Sequence, residues 1–221
     1  VAAINAGLSR GTGTILAFLN SDDFLLPMAL RRVAEAYLDE PGAAAWVGGG
    51  HEVAEDGFIL NTRNPKGLSL EALANWDVNW ILQPSCFFSA AVARRVGLLD
   101  PQYHNAFDFD FWLRLAAAGD FIRVPHVLAA ATRHAGMKTL RFMPRMYEET
   151  RAILTKAGYE GLAHAIDASL QRARSNTPIS IAAKLMYESG TQRRKHPERY
   201  VQLPGRAGTR VSGADPKGKR A

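Results

Sequence analysis

The stretch ILAFLNSDDFLLP, Ile15 to Pro27, decides how this chain is read. An apolar run with the character of a buried strand, Thr14–Leu19, breaks at Asn20, Ser21, Asp22 and Asp23, and a second apolar run follows at once. Pro27 stands where a first helical turn begins. The segment MALRRVAEAYLDE then sets Leu30, Val33, Ala34, Tyr37 and Leu38 on one helix face. In open α/β sheets ligands bind beyond the carboxyl ends of the strands, so two acids at a strand tip face a ligand crevice. Two adjacent like charges are unfavourable without a cation or donors nearby, and a hard divalent ion takes one or two carboxylates plus phosphate oxygens. The same pair also suits an N-cap and turn for the next helix.

Outward from this stretch the alternation continues. AAAWVGGGHEV reads as a strand loosened by Gly48, Gly49 and Gly50, and DGFIL as a turn into a short strand. LSLEALAN is a short helix. PSCFF reads as a strand, and SAAVARRVG as a helix begun by Ser89 and ended by Gly97. FDFDFWLRLAAAG is a helix; FIRVP and VLAAATRH read as two strands. The expected fold is an α/β layered domain. Past residue 139 only helical patterns remain: RFMPRMYEETRAILTKAG, LAHAIDASLQRAR and SIAAKLMYES. We therefore expect a core over 1–139, a helical extension over 140–202 and a disordered basic tail over 203–221.

The net charge of +6 describes that end, not the core. Residues 192–221 hold nine Lys/Arg against Glu198 and Asp215, which leaves the remainder at −1. Positive charge confined to a tail without interleaved aromatics argues against nucleic-acid binding and fits a solvated tail or a peripheral contact with an anionic membrane. Cys86 is the one cysteine and no apolar run is long enough to span a bilayer, which fits a cytoplasmic chain, at most lying at the inner face of the membrane.

Three further segments carry chemistry. In FDFDFWLRL, Asp108 and Asp110 sit among Phe107, Phe109, Phe111 and Trp112; apolar surroundings raise a carboxyl's pKa and suit a general base, while first-turn acids also complement a helix dipole. In TRHAGMKT, His134 lies between Arg133 and Lys138, a set that suits a diphosphate with His134 as a metal ligand, although a lone histidine is more often structural. In WILQPSCFF, Trp80, Gln83 and Ser85 suit a sugar face and its hydroxyls, or equally a packed loop.

In order and spacing, AINAGLSRGTGTILAFLNSDDFLLPMAL, QPSCFFSAAVARRVGLLD, FDFDFWLRLAAAGDF and RHAGMKT resemble the family 2 glycosyltransferases of the GT-A fold over about residues 2–139. The resemblance implies an α/β, GT-A-like (Rossmann-like) three-layer sandwich with a mixed sheet, plus C-terminal helices. It implies that Asp22 and Asp23 bind the nucleotide-sugar diphosphate with Arg133 and Lys138, and that Asp23 and His134 hold Mg²⁺ or Mn²⁺. Asp108 would be the catalytic base, with Gln83, Ser85 and Trp80 on the acceptor or sugar side. The activity implied is an inverting transfer to a glycan or lipid-linked acceptor hydroxyl in cell-surface polysaccharide synthesis. Asn20 and Phe107 depart from the acidic residues many members carry there. The family's first strands normally precede the AINAGL region, and the chain opens on Val1 rather than Met. The resemblance therefore also leads us to expect a member lacking its N-terminal nucleotide-binding portion. An inactive fragment or partner-binding module is the alternative reading.

Overall fold

The structure is a computed structural model, and it describes residues 1–76, 79, 81–134, 137, 142–175, 193, 195, 196 and 198–204. Among the described residues fourteen elements follow in order. They are α1 (Ala2–Arg10), β1 (Ile15–Leu16), β2 (Phe24–Leu25), α2 (Ala29–Asp39), β3 (Ala45–Ala54), β4 (Ile59–Arg63) and α3 (Leu70–Ala74), then a 3₁₀ turn (Gln83–Ser85), β5 (Cys86–Ser89), α4 (Ala90–Val96), α5 (Phe107–Ala118), β6 (Phe121–Arg133), α6 (Met143–Lys156) and α7 (Glu160–Ser175). Trp80, Lys138, the SIAAKLMYES segment and nearly all of the basic tail lie outside the described residues.

One mixed sheet organises them, in the order β1-β5-β3-β6-β2, with β4 added to the far half of β3. The β3–β6 pair is parallel; the other pairs are antiparallel. The period-2 alternation of a strand sends successive side chains to opposite faces. Trp46 and Phe87 accordingly pack with Val33 of α2 on one face, and Val47 and Phe88 pack with Phe111, Leu115, Ile153 and Leu154 on the other. The helices α6 and α7 thus share a core with α5. The fold is the expected mixed α/β architecture with C-terminal helices.

Several local expectations need correction. The run Thr14–Leu19 pairs only at Ile15 and Leu16, because β1 is an edge strand whose sole neighbour, β5, is four residues long. Helix α2 buries Ala29 and Val33, whereas Leu30 and Leu38 are 64% and 75% exposed. The glycines of β3 do not loosen it. A side chain at Gly48 would run into Leu128 and lie 2.7 Å from the His126 carbonyl, and one at Gly50 would strike Leu82 and lie 2.9 Å from Ser85 Oγ. They let β6 and the 3₁₀ turn approach the strand closely. FIRVP and VLAAATRH form one strand, not two: the register shifts between Val47 and Gly49, and Pro125, which has no N–H to give a ladder, falls in that irregularity.

Helix signals were followed closely. Ser69 and Ser89 cap α3 and α4, their hydroxyls accepting the N–H of Ala72 at 3.2 Å and of Val92 at 3.4 Å. Gly97 ends α4 at φ 83°. Asp110, buried within α5, pairs with Arg114, whose guanidinium donates to the carbonyls of Val96, Gly97 and Leu98 and so satisfies the end of α4.

Candidate active site

The carboxyl end of β6, the β1–β2 loop and the start of α5 converge on one cleft of about 820 Å³, a size suited to a small-molecule ligand. The acids of the opening motif sit on a tight turn closed by the Asp23 N–H donating to the Asn20 carbonyl at 3.2 Å. Because β2 pairs with β6, this turn lies beside Thr132, Arg133 and His134.

Asp23 is held from two sides: Thr132 N–H donates to its Oδ1 at 3.1 Å and Asn20 Nδ2 to its Oδ2 at 3.0 Å. Burial nevertheless pushes its carboxyl above the usual range, and the charge of Asp22 adds to this; the bonds from Asn20 and Thr132 and the Arg133 guanidinium oppose it. Asp22 is exposed, its carbonyl accepts the Thr132 hydroxyl, and its Oδ2 lies 3.3 Å from His134 Nε2. His134 therefore partners Asp22 directly. Arg133 is anchored from behind by Glu52, a buried carboxylate of β3 that also takes Arg63 Nε at 2.9 Å and Asn61 Nδ2 at 3.0 Å.

Asn20 Nδ2 also donates to Gln83 Oε1 at 3.0 Å, and Gln83 Nε2 donates to the Phe18 carbonyl. Gln83 lines the cleft while bracing the acidic turn. Ser85 is not brought to the cleft: it is fully buried, and its hydroxyl donates to the Leu82 carbonyl at 2.8 Å.

Asp108 lines the same cleft from the first turn of α5. It is half-buried, and burial raises its pKa to about 6, against the bonds it accepts from the N–H of Phe109 and its own. A carboxylate poised near neutrality is suited to taking a proton. Phe107, Phe109, Trp112, Trp76 and Tyr147 make the wall around it apolar, with Trp76 edge-on to both Phe109 and Tyr147.

Asp22, Asp23 and His134 fit a divalent cation in part. Two carboxylates and an imidazole are hard-to-borderline donors, and a cation would offset the burial, and the lesser effect of the Asp22 charge, that raise Asp23. Among the described residues no group of three or more His, Cys, Asp or Glu is placed to hold a metal by itself. A metal here would need ligand oxygens, which is the usual situation of Mg²⁺ beside a phosphate.

Sequence reasoning missed two residues of this site. Glu52 anchors Arg133, and Glu149 of α6 accepts the backbone N–H groups of His104, Asn105 and Ala106, just before α5. Neither stands in a local motif.

The acidic turn lies at the end of the sheet's parallel pair, with a pKa-shifted carboxylate across the cleft, where α/β folds commonly take their ligands. Residues 1–97 match the family described as Glycosyl transferase family 2. Among solved structures, the chain is similar to the crystal structure of S. aureus TarS, at 17% identity and a TM-score of 0.50 over 78% of this chain and 30% of that one. It is also similar to the crystal structure of S. aureus TarS 1-349, at 15% identity and a TM-score of 0.49 over 76% of this chain and 49% of that one. The chain thus spans under half of either, and the first likeness bears on fold alone. No curated protein matches the sequence. No helix among the described residues is long and apolar enough to cross a membrane.

Proposed function

We propose that this protein is an inverting glycosyltransferase that moves a sugar from a nucleotide-sugar donor to a hydroxyl of a glycan or lipid-linked acceptor, in the synthesis of a cell-surface polysaccharide. The observation that carries the reading is the placement of Asp22, Asp23, Arg133 and His134 with Asp108 in one cleft. The first four suit a diphosphate, Arg133 by its guanidinium and the acids through a shared cation. Bound Mg²⁺ or Mn²⁺, held by Asp23 with Asp22 or His134, would supply Lewis-acid stabilisation of the departing nucleoside diphosphate.

The remaining chemistry falls to the chain. Asp108 accepts the proton of the acceptor hydroxyl, the freed oxygen attacks the anomeric carbon from the face opposite the diphosphate, and the bond to the diphosphate breaks. The sugar is thereby inverted, and the negative charge leaves with the nucleotide. The aromatic wall of Trp76, Phe109 and Tyr147 takes the acceptor's apolar faces, and the bound acceptor covers the base. Since the base works ionised, turnover should rise with pH through about 6.

The test is Asp108→Asn. Loss of the base should lower kcat by ~10²-fold or more while donor affinity holds. Retention of kcat with a raised KM would make Asp108 a binding residue and sink the assignment.

A further inference from the structure

We infer that Glu149 is a positioning residue for Asp108: from α6 its carboxylate clasps the backbone at residues 104–106 and so fixes the first turn of α5 in the wall of the cleft. The inference rests on reading Asp108 as the base, but its geometry stands independently. Glu149 Oε2 accepts three successive N–H groups, from His104 at 2.9 Å, Asn105 at 2.7 Å and Ala106 at 3.0 Å. Its Oε1 accepts Asn105 Nδ2 at 3.2 Å and Arg145 Nε at 3.3 Å. Consecutive N–H groups turned to one point form an anion-binding concavity, and here a carboxylate 43 to 45 positions away in the chain fills it.

The need for such a clasp is local. Ala106 occupies the N-cap of α5 and offers no side-chain acceptor, where Ser, Thr, Asn or Asp would ordinarily stand. Asp108 follows two residues later, too few to absorb a displacement of Ala106. Glu149 is only 9% exposed and has apolar Ile153 and Leu154 on the next turn of α6. An apolar residue there would leave the N–H groups of residues 104–106 without this acceptor, so the carboxylate both satisfies and orients the turn. Burial opposes the ionised form, yet the N–H groups of Asn105, Ala106 and His104 and the Asn105 amide outweigh it and hold the carboxyl below the usual range. The neighbouring titratable groups are Cys86 beside Asp108, and Tyr103 and Arg145 beside Glu149. Burial pushes both the thiol and the phenol up, away from the carboxyl range.

The test combines carboxyl titration by NMR with amide exchange in the wild type, Glu149→Ala and Glu149→Gln. In the wild type Asp108 should titrate near 6. In Glu149→Ala it should fall by about one unit or more as water reaches the loosened turn, and the three clasped amides should exchange ~10-fold faster or more. Glu149→Gln retains an acceptor oxygen, so it should keep Asp108 near its wild-type point while the weaker bonds speed exchange of the same amides several-fold. An unmoved Asp108 in Glu149→Ala overturns the inference. If Glu149→Ala does not fold, unchanged exchange at residues 104–106 in Glu149→Gln overturns it. None of these readouts uses turnover: full activity in Asp108→Asn would remove the base and leave the clasp standing.

Discussion

Replacing Asp108 by Asn should make the protein more stable at neutral pH while disabling it. The carboxyl is raised from 3.8 to about 6 by burial. In the folded state it therefore keeps a proton that the unfolded chain has already released between about pH 4 and 6. Stability falls as pH rises through that window, by up to ~3 kcal/mol for a shift of about two units. Asn carries no charge to desolvate, but it accepts the Phe109 N–H more weakly and the site is half-open to water, which reduces the expected gain to ~1–2 kcal/mol. For a chain of this length that is a rise in Tm of ~3–6 °C at pH 7. Below about pH 4 both folded and unfolded Asp108 are protonated and the gain should vanish. Scanning calorimetry of both proteins from pH 4 to 7.5 is the assay. A Tm difference that does not vary with pH, or a variant less stable at pH 7, would refute the assignment of a buried, destabilised carboxylate.

Other expectations follow from the same geometry. Asp23→Asn should abolish Mn²⁺-dependent binding of a nucleoside diphosphate in calorimetric titration without lowering Tm, and unchanged affinity would count against metal ligation there. Glu52→Gln leaves Arg133 and Arg63 without their shared carboxylate and should cost ~2 kcal/mol in urea unfolding, less than for a fully buried pair because Arg63 is 40% exposed; an unshifted midpoint would show that the arginines find other partners. Gly48→Ala forces a methyl against Leu128 and the His126 carbonyl and should cost about 3 kcal/mol, with wild-type stability arguing that β6 yields at Pro125.

What was legible in the sequence was local. Ser89 and Gly97 marked helix boundaries because caps and φ preferences act within a turn, whereas Pro27 stands outside α2, which begins at Ala29 behind Met28. The two acids, Asp108 and His134 could be singled out because each stood in a short motif, and the structure brings them to one cleft. What was not legible depends on distant partners. Glu149 lies in a segment legible only as a helical pattern, and the approach of residues 104–106 gives it its work. Glu52 gains its role only when β4 and β6 deliver Arg63 and Arg133 to it. Leu30 and Leu38 satisfied the helical period yet stay exposed, because period fixes an angle about the axis and not which neighbour lies there.

The amide of Asn20, bonded to Asp23 and Gln83 together, has a consequence for how a ligand would meet this cleft. A carboxylate at that position would repel Asp23 and leave both side chains to search rotamers until a cation arrived. The neutral amide instead freezes Asp23 and Gln83 during folding, so the ~0.5–1.5 kcal/mol of rotational freedom that each such side chain loses is already spent before encounter. The site gives up one unit of negative charge and gains rigidity. Its grip on a cation should accordingly depend less on ionic strength, and more on the intactness of the Asn20–Gln83 brace, than that of a site built from three acids.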